Sequence, residues 1–256
     1  MQLDYNTPIN AVTKYNIKTA KIFEEYDLDF CCVGKKSIAK ACSEKGIDAD
    51  NLIKELNIVI NNESDGTHYE DWNLNFLIDY IRNNHHSYVR SSIVSIDHHF
   101  SKVVNKHGIT YPEILKAVKL FDDIKLDLLS HMDKEEKMLF PYIKKMMFAA
   151  ENNVELQIPP FGSIKNPINV MEEEHQSAGD EMSELKKITN NYTPPDNACN
   201  TFKLLYSELN DFEKDLHIHV HLENNILFPK AITFEDNIMC KSEGLNNLYT
   251  SINETV

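Results

Sequence analysis

Residues that interrupt helices are scarce in this chain. Seven glycines and nine prolines are spread over 256 residues, so few positions stop a helix. Alternation of apolar and polar residues, which marks strands, is close to absent, whereas apolar residues recur with the helical period. The sequence therefore predicts an all-α fold.

Basic charge and long apolar runs are also in short supply. Lys and Arg number 26 against 40 Asp and Glu, which gives a net charge of −14. Such a surface repels phosphate groups, so we expect no nucleic acid and no membrane among the partners. The first ten residues have neither a basic start nor an apolar stretch, which argues against a signal peptide. We therefore expect a cytoplasmic protein.

The cysteines are too few and too scattered for a disulfide framework. The chain has five of them, an odd number, and only two are adjacent. This usage is typical of reduced thiols. They are Cys31, Cys32, Cys42, Cys199 and Cys240.

The front part of the chain has the pattern of three short helices. Apolar spacing predicts the first over 11–26, Ser37 begins the second, and Asp48 or Asp50 begins the third. The polar segment 61–67 then predicts a linker.

Four long helices are predicted after this linker. Their ranges are 72–106, 112–147, 167–190 and 196–234. Short connections between them favour an antiparallel four-helix bundle. The chain thus divides into a small helical domain at 1–62, a bundle at 72–232 and a weakly anchored tail at 233–256.

The bundle contains an internal repeat. Its second helix carries His131 and Glu135, its fourth carries His219 and Glu223, and each pair is followed by Leu-Phe-Pro. One further histidine precedes each pair by nearly the same interval. These two are His86, 45 residues before His131, and His175, 44 residues before His219. The repeat predicts two helical hairpins related by a pseudo-two-fold axis.

Each repeated pair presents an imidazole and a carboxylate on one face of its helix, because residues i and i+4 are neighbours there. That face is apolar, so it is predicted to point into the bundle. Buried glutamates and histidines are costly unless something compensates their charge, and bound cations do so. The apolar neighbours are Ile124, Leu128 and Met138 for the first pair and Phe212, Leu216 and Ile226 for the second.

The sequence also predicts roles or positions for other polar residues of the bundle. Asp127 and Asp215 each lie four residues before a repeated histidine, where a carboxylate could orient the imidazole, and Glu174 is a weaker candidate for that role. His217 and His221 lie about 200° from His219 around the helix and are expected to face away from the core. Packing or exposed positions are expected for His98, His99 and His107.

These segments resemble the di-iron "repair of iron centres" family, which has a hemerythrin-like bundle. The resemblance rests on 130–136, 171–175 and 219–229 and extends to the front domain. It implies two non-haem, oxo-bridged iron ions as cofactor. The implied ligands are His86, His131, Glu135, His175, His219 and Glu223. The apolar stripe of the first helix instead centres on His85, which stays the alternative to His86.

The resemblance also implies a function. This function is repair of iron–sulfur clusters damaged by nitrosative or oxidative stress, with damaged iron–sulfur proteins as clients and NO or O2 as small ligands. An oxygen- or NO-binding sensor without turnover is the alternative, and a zinc-binding or empty structural bundle is a third reading. NO reduction to N2O stays open, no catalytic residue is assigned, and the oligomeric state stays open between monomer and homodimer.

The adjacent thiols of Cys31 and Cys32 have two interpretations. Lys35, Lys36 and the following helix start are features that lower a thiol pKa, which favours reactive thiols. The other interpretation is packing in a small core. The family signature here is two cysteines followed by two glycines, and Val33 stands in place of the first glycine. Since valine resists a positive φ, the turn is expected to differ.

Overall fold

A computed structural model describes the backbone of residues 1–61 and 68–253 and the side chains of 1–61 and 68–240. Within these residues the chain is helical and has no strand; the one β-bridge joins Pro8 and Ser37. The expected linker at 61–67 lies outside the described residues, apart from Asn61. None of the described helices is long and apolar enough to cross a membrane.

The front domain has four helices where the sequence predicts three. They are α1 (Ile9–Tyr15), α2 (Thr19–Glu25), α3 (Ile38–Lys45) and α4 (Ala49–Asn61). The single helix predicted over 11–26 is wrong because Asn16 interrupts it. Asn16 is extended, and its side chain accepts a hydrogen bond from the Lys18 backbone N–H at 3.0 Å. This local bond competes with the helical one.

Side-chain caps fix the other two helix starts. The Ser37 side chain accepts a hydrogen bond from the backbone N–H of Lys40 at 3.3 Å, which confirms the predicted start of α3. For α4 the cap is Asp48, because its carboxylate accepts hydrogen bonds from the N–H groups of Asp50 and Asn51.

The bundle helices are longer than predicted at four ends and shorter at the other four, and three of the helices contain a π-helical segment. The first comprises Leu74–Tyr80, Ile81–His86 (π) and Ser87–His107. The second comprises Glu113–Lys134, Glu135–Leu139 (π) and Phe140–Asn152. The third is Lys165–Ile188, and the fourth comprises Asn200–Leu222, Glu223–Leu227 (π) and Phe228–Asn253. The first packs on the second and fourth, and the second packs on the third.

The repeated Leu-Phe-Pro motif coincides with π turns. The Phe140 N–H donates to the Glu135 carbonyl, and the Phe228 N–H donates to the Glu223 carbonyl, each across five residues. The following proline has no N–H and would clash with the carbonyl four residues back in an α-helix. A π turn carries one extra residue and so accommodates it.

The extra residue of the π turn that begins at Glu135 changes which side chains face inward there, whereas Ile226, the equivalent of Met138 in the second copy, is buried as predicted. Met138, predicted to face the core, is 39% exposed, whereas the next residue, Leu139, is fully buried. The prediction for Met138 is wrong because it assumed an unbroken α-helical period through Glu135.

The fourth helix continues past the boundary expected at residue 232. Glu235 is buried and accepts hydrogen bonds from the Tyr142 hydroxyl at 3.0 Å, the Ser163 hydroxyl at 2.6 Å and the Ile164 N–H at 3.0 Å. The first residues of the predicted tail are therefore anchored to the second and third helices.

Two apolar clusters lie on either side of the repeated His-Glu pairs. One contains Leu77, Ile143 and Leu227, toward one end of the bundle. The other combines bundle residues such as Phe121 and Phe212 with front-domain residues. The front domain thus shares an apolar core with the bundle, and water is excluded from the polar residues between the clusters.

Candidate metal centre

The six residues predicted from the sequence meet inside the bundle. They form two groups of four donors, and in each group the donor atoms lie within 4.8 Å of one another. Each group takes two histidines, and both groups share the same two glutamates. The groups are His86–Glu135–His219–Glu223 and His131–Glu135–His175–Glu223.

Glu135 contacts one histidine of each group. Its Oε2 lies 3.3 Å from His86 Nε2 and 3.4 Å from His131 Nε2. The carboxylate is completely buried. One side chain therefore connects the two groups.

Glu223 occupies the equivalent position in the second copy of the repeat. Its Oε1 lies 3.0 Å from His219 Nε2, and its Oε2 lies 3.1 Å from His175 Nε2. Oε1 is also 3.9 Å from His86 Nε2. Glu223 is likewise completely buried, so the pseudo-symmetry of the sequence is reproduced in the geometry.

The hydrogen bonding within the protein leaves several of these atoms unsatisfied. Within the described chain, both carboxylate oxygens of Glu135, Oε2 of Glu223 and Nε2 of His86 make no hydrogen bond of suitable geometry, although ring nitrogens lie close to both Oε2 atoms. His131 Nε2 and His175 Nε2 lie only 3.0 Å apart. Ring nitrogens and carboxylate oxygens that converge in this way suit first-row divalent metals. The donor set therefore fits metal ions.

Without a bound metal, the buried carboxylates favour protonation of the neighbouring histidines. Burial opposes charge on His86, but Glu135 and Glu223 outweigh it and raise the pKa of His86 to about 10. Burial also opposes charge on His131, and Glu135 raises its pKa to about 9. Despite burial and mutual repulsion, the imidazoles lower the pKa of both glutamates. A metal must therefore displace protons from His86 and His131.

Three polar residues orient the imidazole rings by their Nδ1 atoms. Glu136 lies 2.8 Å from Nδ1 of His86, Glu174 lies 2.9 Å from Nδ1 of His131, and Asn224 lies 2.8 Å from Nδ1 of His175. These contacts direct each Nε2 toward the centre. Glu174 was a candidate from the sequence, whereas Glu136 and Asn224 were missed. The repeat contained a signal for both, since each directly follows a shared glutamate.

The two aspartates that lie four residues before a ligand histidine do not orient that histidine. Asp127 is exposed and does not contact His131. Asp215 contacts a neighbouring helix, with Oδ1 2.9 Å from His85 Nδ1, and does not orient His219. Both expectations are wrong, because the Asp127 side chain lies at the exposed surface of its helix and the Asp215 carboxylate is engaged by a histidine of the first bundle helix.

The geometry distinguishes His86 from His85. Both are buried, but His86 joins a donor group, whereas His85 pairs with Asp215 and stacks on His219. The π segment Ile81–His86 explains the ambiguity of the sequence. One extra residue rotates the following chain by about 100°. The apolar stripe is therefore in phase with His85 before the π segment and with His86 after it.

The expectation that His217 and His221 face away from the core is wrong for His221. His221 is completely buried, and its ring packs edge-on against Phe30 of the front domain with centroids 5.7 Å apart. Burial lowers the pKa of His221 to about 4. His217 is partly exposed and lies 3.5 Å from Glu24. Both face away from the donor groups, but the front domain covers this side of the fourth helix.

The environment of Cys31 raises its thiol pKa, which favours the packing interpretation over that of a reactive thiol. The causes are the Cys32 thiol, burial and the Asp29 carboxylate. Lys36 provides no compensation because it pairs with Glu44 at 2.7 Å. The thiol of Cys31 is therefore not activated by a lowered pKa.

The turn after the cysteines does not need a glycine at position 33. Val33 is absent from the residues with positive φ. Gly34 is the position with the steric demand, since a Cβ there would lie 2.4 Å from the Phe30 carbonyl oxygen. The departure from the family signature is therefore compatible with this turn.

Comparison with known proteins assigns both parts of the chain. Residues 77–231 match the family model of the hemerythrin HHE cation-binding domain, and residues 6–59 match a domain of unknown function, DUF542. The iron-sulfur cluster repair protein YtfE of Yersinia pestis (strain Pestoides F) is 34% identical over 239 residues, which cover 91% of this chain and 100% of the relative. The protein of the same name from Yersinia pseudotuberculosis (serotype O:1b, strain IP 31758) gives the same figures. The chain therefore belongs to the hemerythrin HHE cation-binding family and, with its vicinal-cysteine front domain, to the "repair of iron centres" family.

Proposed function

We propose that this protein repairs iron–sulfur clusters damaged by nitrosative or oxidative stress, using a non-haem di-iron centre in the bundle. The observation that carries the proposal is the pair of four-donor groups sharing two buried carboxylates. The relatives are named iron-sulfur cluster repair proteins, which supports the same role. Clients are damaged iron–sulfur proteins in the cytoplasm.

The residues of the chain have distinct tasks in this proposal. His86 and His219 would hold one iron, His131 and His175 would hold the other, and the carboxylates of Glu135 and Glu223 would contribute to both. When bound, the irons supply one-electron chemistry, open positions for NO or O2, and a store of transferable iron.

The protein around the ligands keeps this centre ordered and dry. Glu136, Glu174 and Asn224 fix ring orientation through Nδ1. The apolar clusters on either side exclude water, which strengthens every electrostatic contact between them.

The chain is predicted to divide into a front domain at 1–62, a bundle at 72–232 and a tail at 233–256. This division stays a prediction, which isolated fragments would test.

The test is recovery of a damaged client. Iron-loaded protein, purified without oxygen, is mixed with an iron–sulfur enzyme inactivated by NO, and enzyme activity and iron in both proteins are followed. We expect activity to return as iron leaves this protein. Glu135→Ala should abolish the recovery, because it removes a shared carboxylate.

A matched control uses a histidine outside the centre. His99 pairs with Glu208 at 2.6 Å on the first and fourth helices and belongs to neither donor group. His99→Ala should repair as well as the wild type. Equal recovery with Glu135→Ala would contradict the proposal. Reversible O2 or NO binding without any recovery would favour the sensor, and N2O formation would show turnover of NO.

A further inference from the structure

A third group of metal-binding side chains lies outside the bundle centre. It consists of Asp29, Cys31 and Cys32, in the loop after α2, whose donor atoms all lie within 4.8 Å of one another. The Cys31 Sγ is 3.3 Å from Asp29 Oδ1 and 3.7 Å from the Cys32 Sγ. Two thiols and a carboxylate therefore converge on one small volume.

The backbone holds these donors in place. Asp29 Oδ1 accepts hydrogen bonds from the N–H groups of Cys31 at 2.8 Å and Cys32 at 2.9 Å. On the other side of the loop, the Asn225 side chain donates to the Cys31 carbonyl at 3.2 Å. The loop is thus fixed both by its own turn and by the fourth bundle helix.

The group lies against the chain segments that carry the proposed iron ligands. The Cys32 Sγ is 3.8 Å from the backbone carbonyl oxygen of His175. Asn225, which holds the loop, follows Glu223 by two residues within the π segment. A cavity of 290 Å³ opens beside the thiols and gives access from solvent.

A negative charge lies directly beside the thiols, because no ion pair within the described chain neutralises Asp29. The rest of the cavity lining is mixed in charge, since Asp27 and Glu213 also line it but both pair with Lys186. The Cys32 thiol, burial and the Asp29 carboxylate raise the pKa of Cys31, so its thiol is protonated when no cation is present. A bound metal ion reverses this effect, because it stabilises the thiolate directly.

We propose that Asp29, Cys31 and Cys32 bind one divalent metal ion, which is Fe2+ in transit if the proposed repair function holds. Both thiols lose their protons to solvent on binding, and the metal stays divalent, so no oxidant or reductant is needed. The cavity leaves room for a fourth ligand, either water or a side chain of the client.

The test uses Co2+ as a probe on the full, iron-loaded protein with reduced thiols and no oxygen. Co2+ bound by thiolates in a tetrahedral site absorbs strongly in the visible. We expect one further metal ion per chain with these bands, and unchanged iron content. Cys32→Ser should remove most of the intensity, and Cys31→Ser with Cys32→Ser should remove all of it.

Two single substitutions make the test independent of folding defects. Asp29→Asn keeps the oxygen that accepts the backbone hydrogen bonds and removes the charge, so it should weaken Co2+ binding about tenfold or more. Cys240→Ser removes an exposed cysteine outside the group and should change nothing. Cobalt bands that survive in both cysteine variants, or an Asp29→Asn protein with unchanged affinity, would overturn the proposal.

The iron content of the protein distinguishes failure of this proposal from failure of the proposed function. A bundle without iron, combined with thiol-dependent cobalt bands, would support the third site and contradict the di-iron centre. A bundle with its iron, combined with cobalt bands that ignore the thiols, would do the reverse.

Discussion

Acid should weaken the attachment of the front domain to the bundle through His221. The ring is completely buried against Phe30, and its Nδ1 lies 3.2 Å from the Asn225 side chain. Burial lowers the pKa of His221 to about 4 in the folded protein, against about 6.5 when unfolded. Since the folded pKa is the lower one, this stability is present above about pH 6.5 and is lost as the pH falls toward 4.

The magnitude follows from the two pKa values. The difference is worth roughly 3 kcal/mol in full, and about 2 kcal/mol of it is lost between about pH 7 and pH 5. Urea unfolding followed by circular dichroism measures the free energy of unfolding at both pH values. In His221→Gln the loss on acidification should be smaller by about 2 kcal/mol, because the variant lacks the titrating group.

His217→Gln is the matched control for this measurement. His217 lies one turn earlier on the same helix and is partly exposed beside Glu24. Its replacement leaves His221 in place, so the variant should keep the wild-type loss of stability. An identical pH dependence in the wild type and in His221→Gln would refute the reasoning.

Three further predictions concern the anchored helix and the metal centre. Glu235→Ala should lower the free energy of unfolding by about 2–4 kcal/mol, because it leaves buried hydrogen-bond donors unpaired. The control is Asp236→Ala, which breaks an exposed ion pair with Lys165 and should lower the free energy of unfolding by under about 1 kcal/mol. Equal urea midpoints for the two variants would contradict this prediction. Iron uptake at about pH 7 should release protons from His86 and His131, so the affinity for iron should rise as the pH increases toward 9. Calorimetry in two buffers of different ionisation enthalpy measures the proton release. No release would contradict the raised pKa values of the two histidines. Glu136→Ala should weaken iron binding about tenfold, as measured by competition with a chelator. Asp127→Ala changes an exposed position and should leave iron binding unchanged. Weaker iron binding in Asp127→Ala than in Glu136→Ala would restore the role first expected for Asp127.

The centre could be predicted from the sequence because its information is local and duplicated. His131 with Glu135, and His219 with Glu223, are separated by one helical turn, and that spacing survives in the structure. The apolar face around each pair indicated burial without any knowledge of neighbouring helices. The matched spacing of the two halves indicated the remaining histidines, His86 and His175, and the family resemblance implied the same two.

The features that escaped prediction depend on helix register or on distant contacts. The π segments shift the inward face by one residue, which is why His85 competed with His86 and Met138 was placed in the core. The burial of His221 depends on Phe30, almost two hundred residues earlier in the chain. Neither effect leaves a mark in the periodicity of a single helix.

The central claim is that His86 and its five partner residues hold two irons in the bundle. The most direct test is metal analysis of protein purified without oxygen, as wild type, His85→Ala and His86→Ala. We expect about two irons per chain in the wild type and in His85→Ala, and loss of iron in His86→Ala, because of these two histidines only His86 joins a donor group. Stoichiometric zinc without iron in cells supplied with ample iron, or iron lost from His85→Ala and kept by His86→Ala, would contradict it.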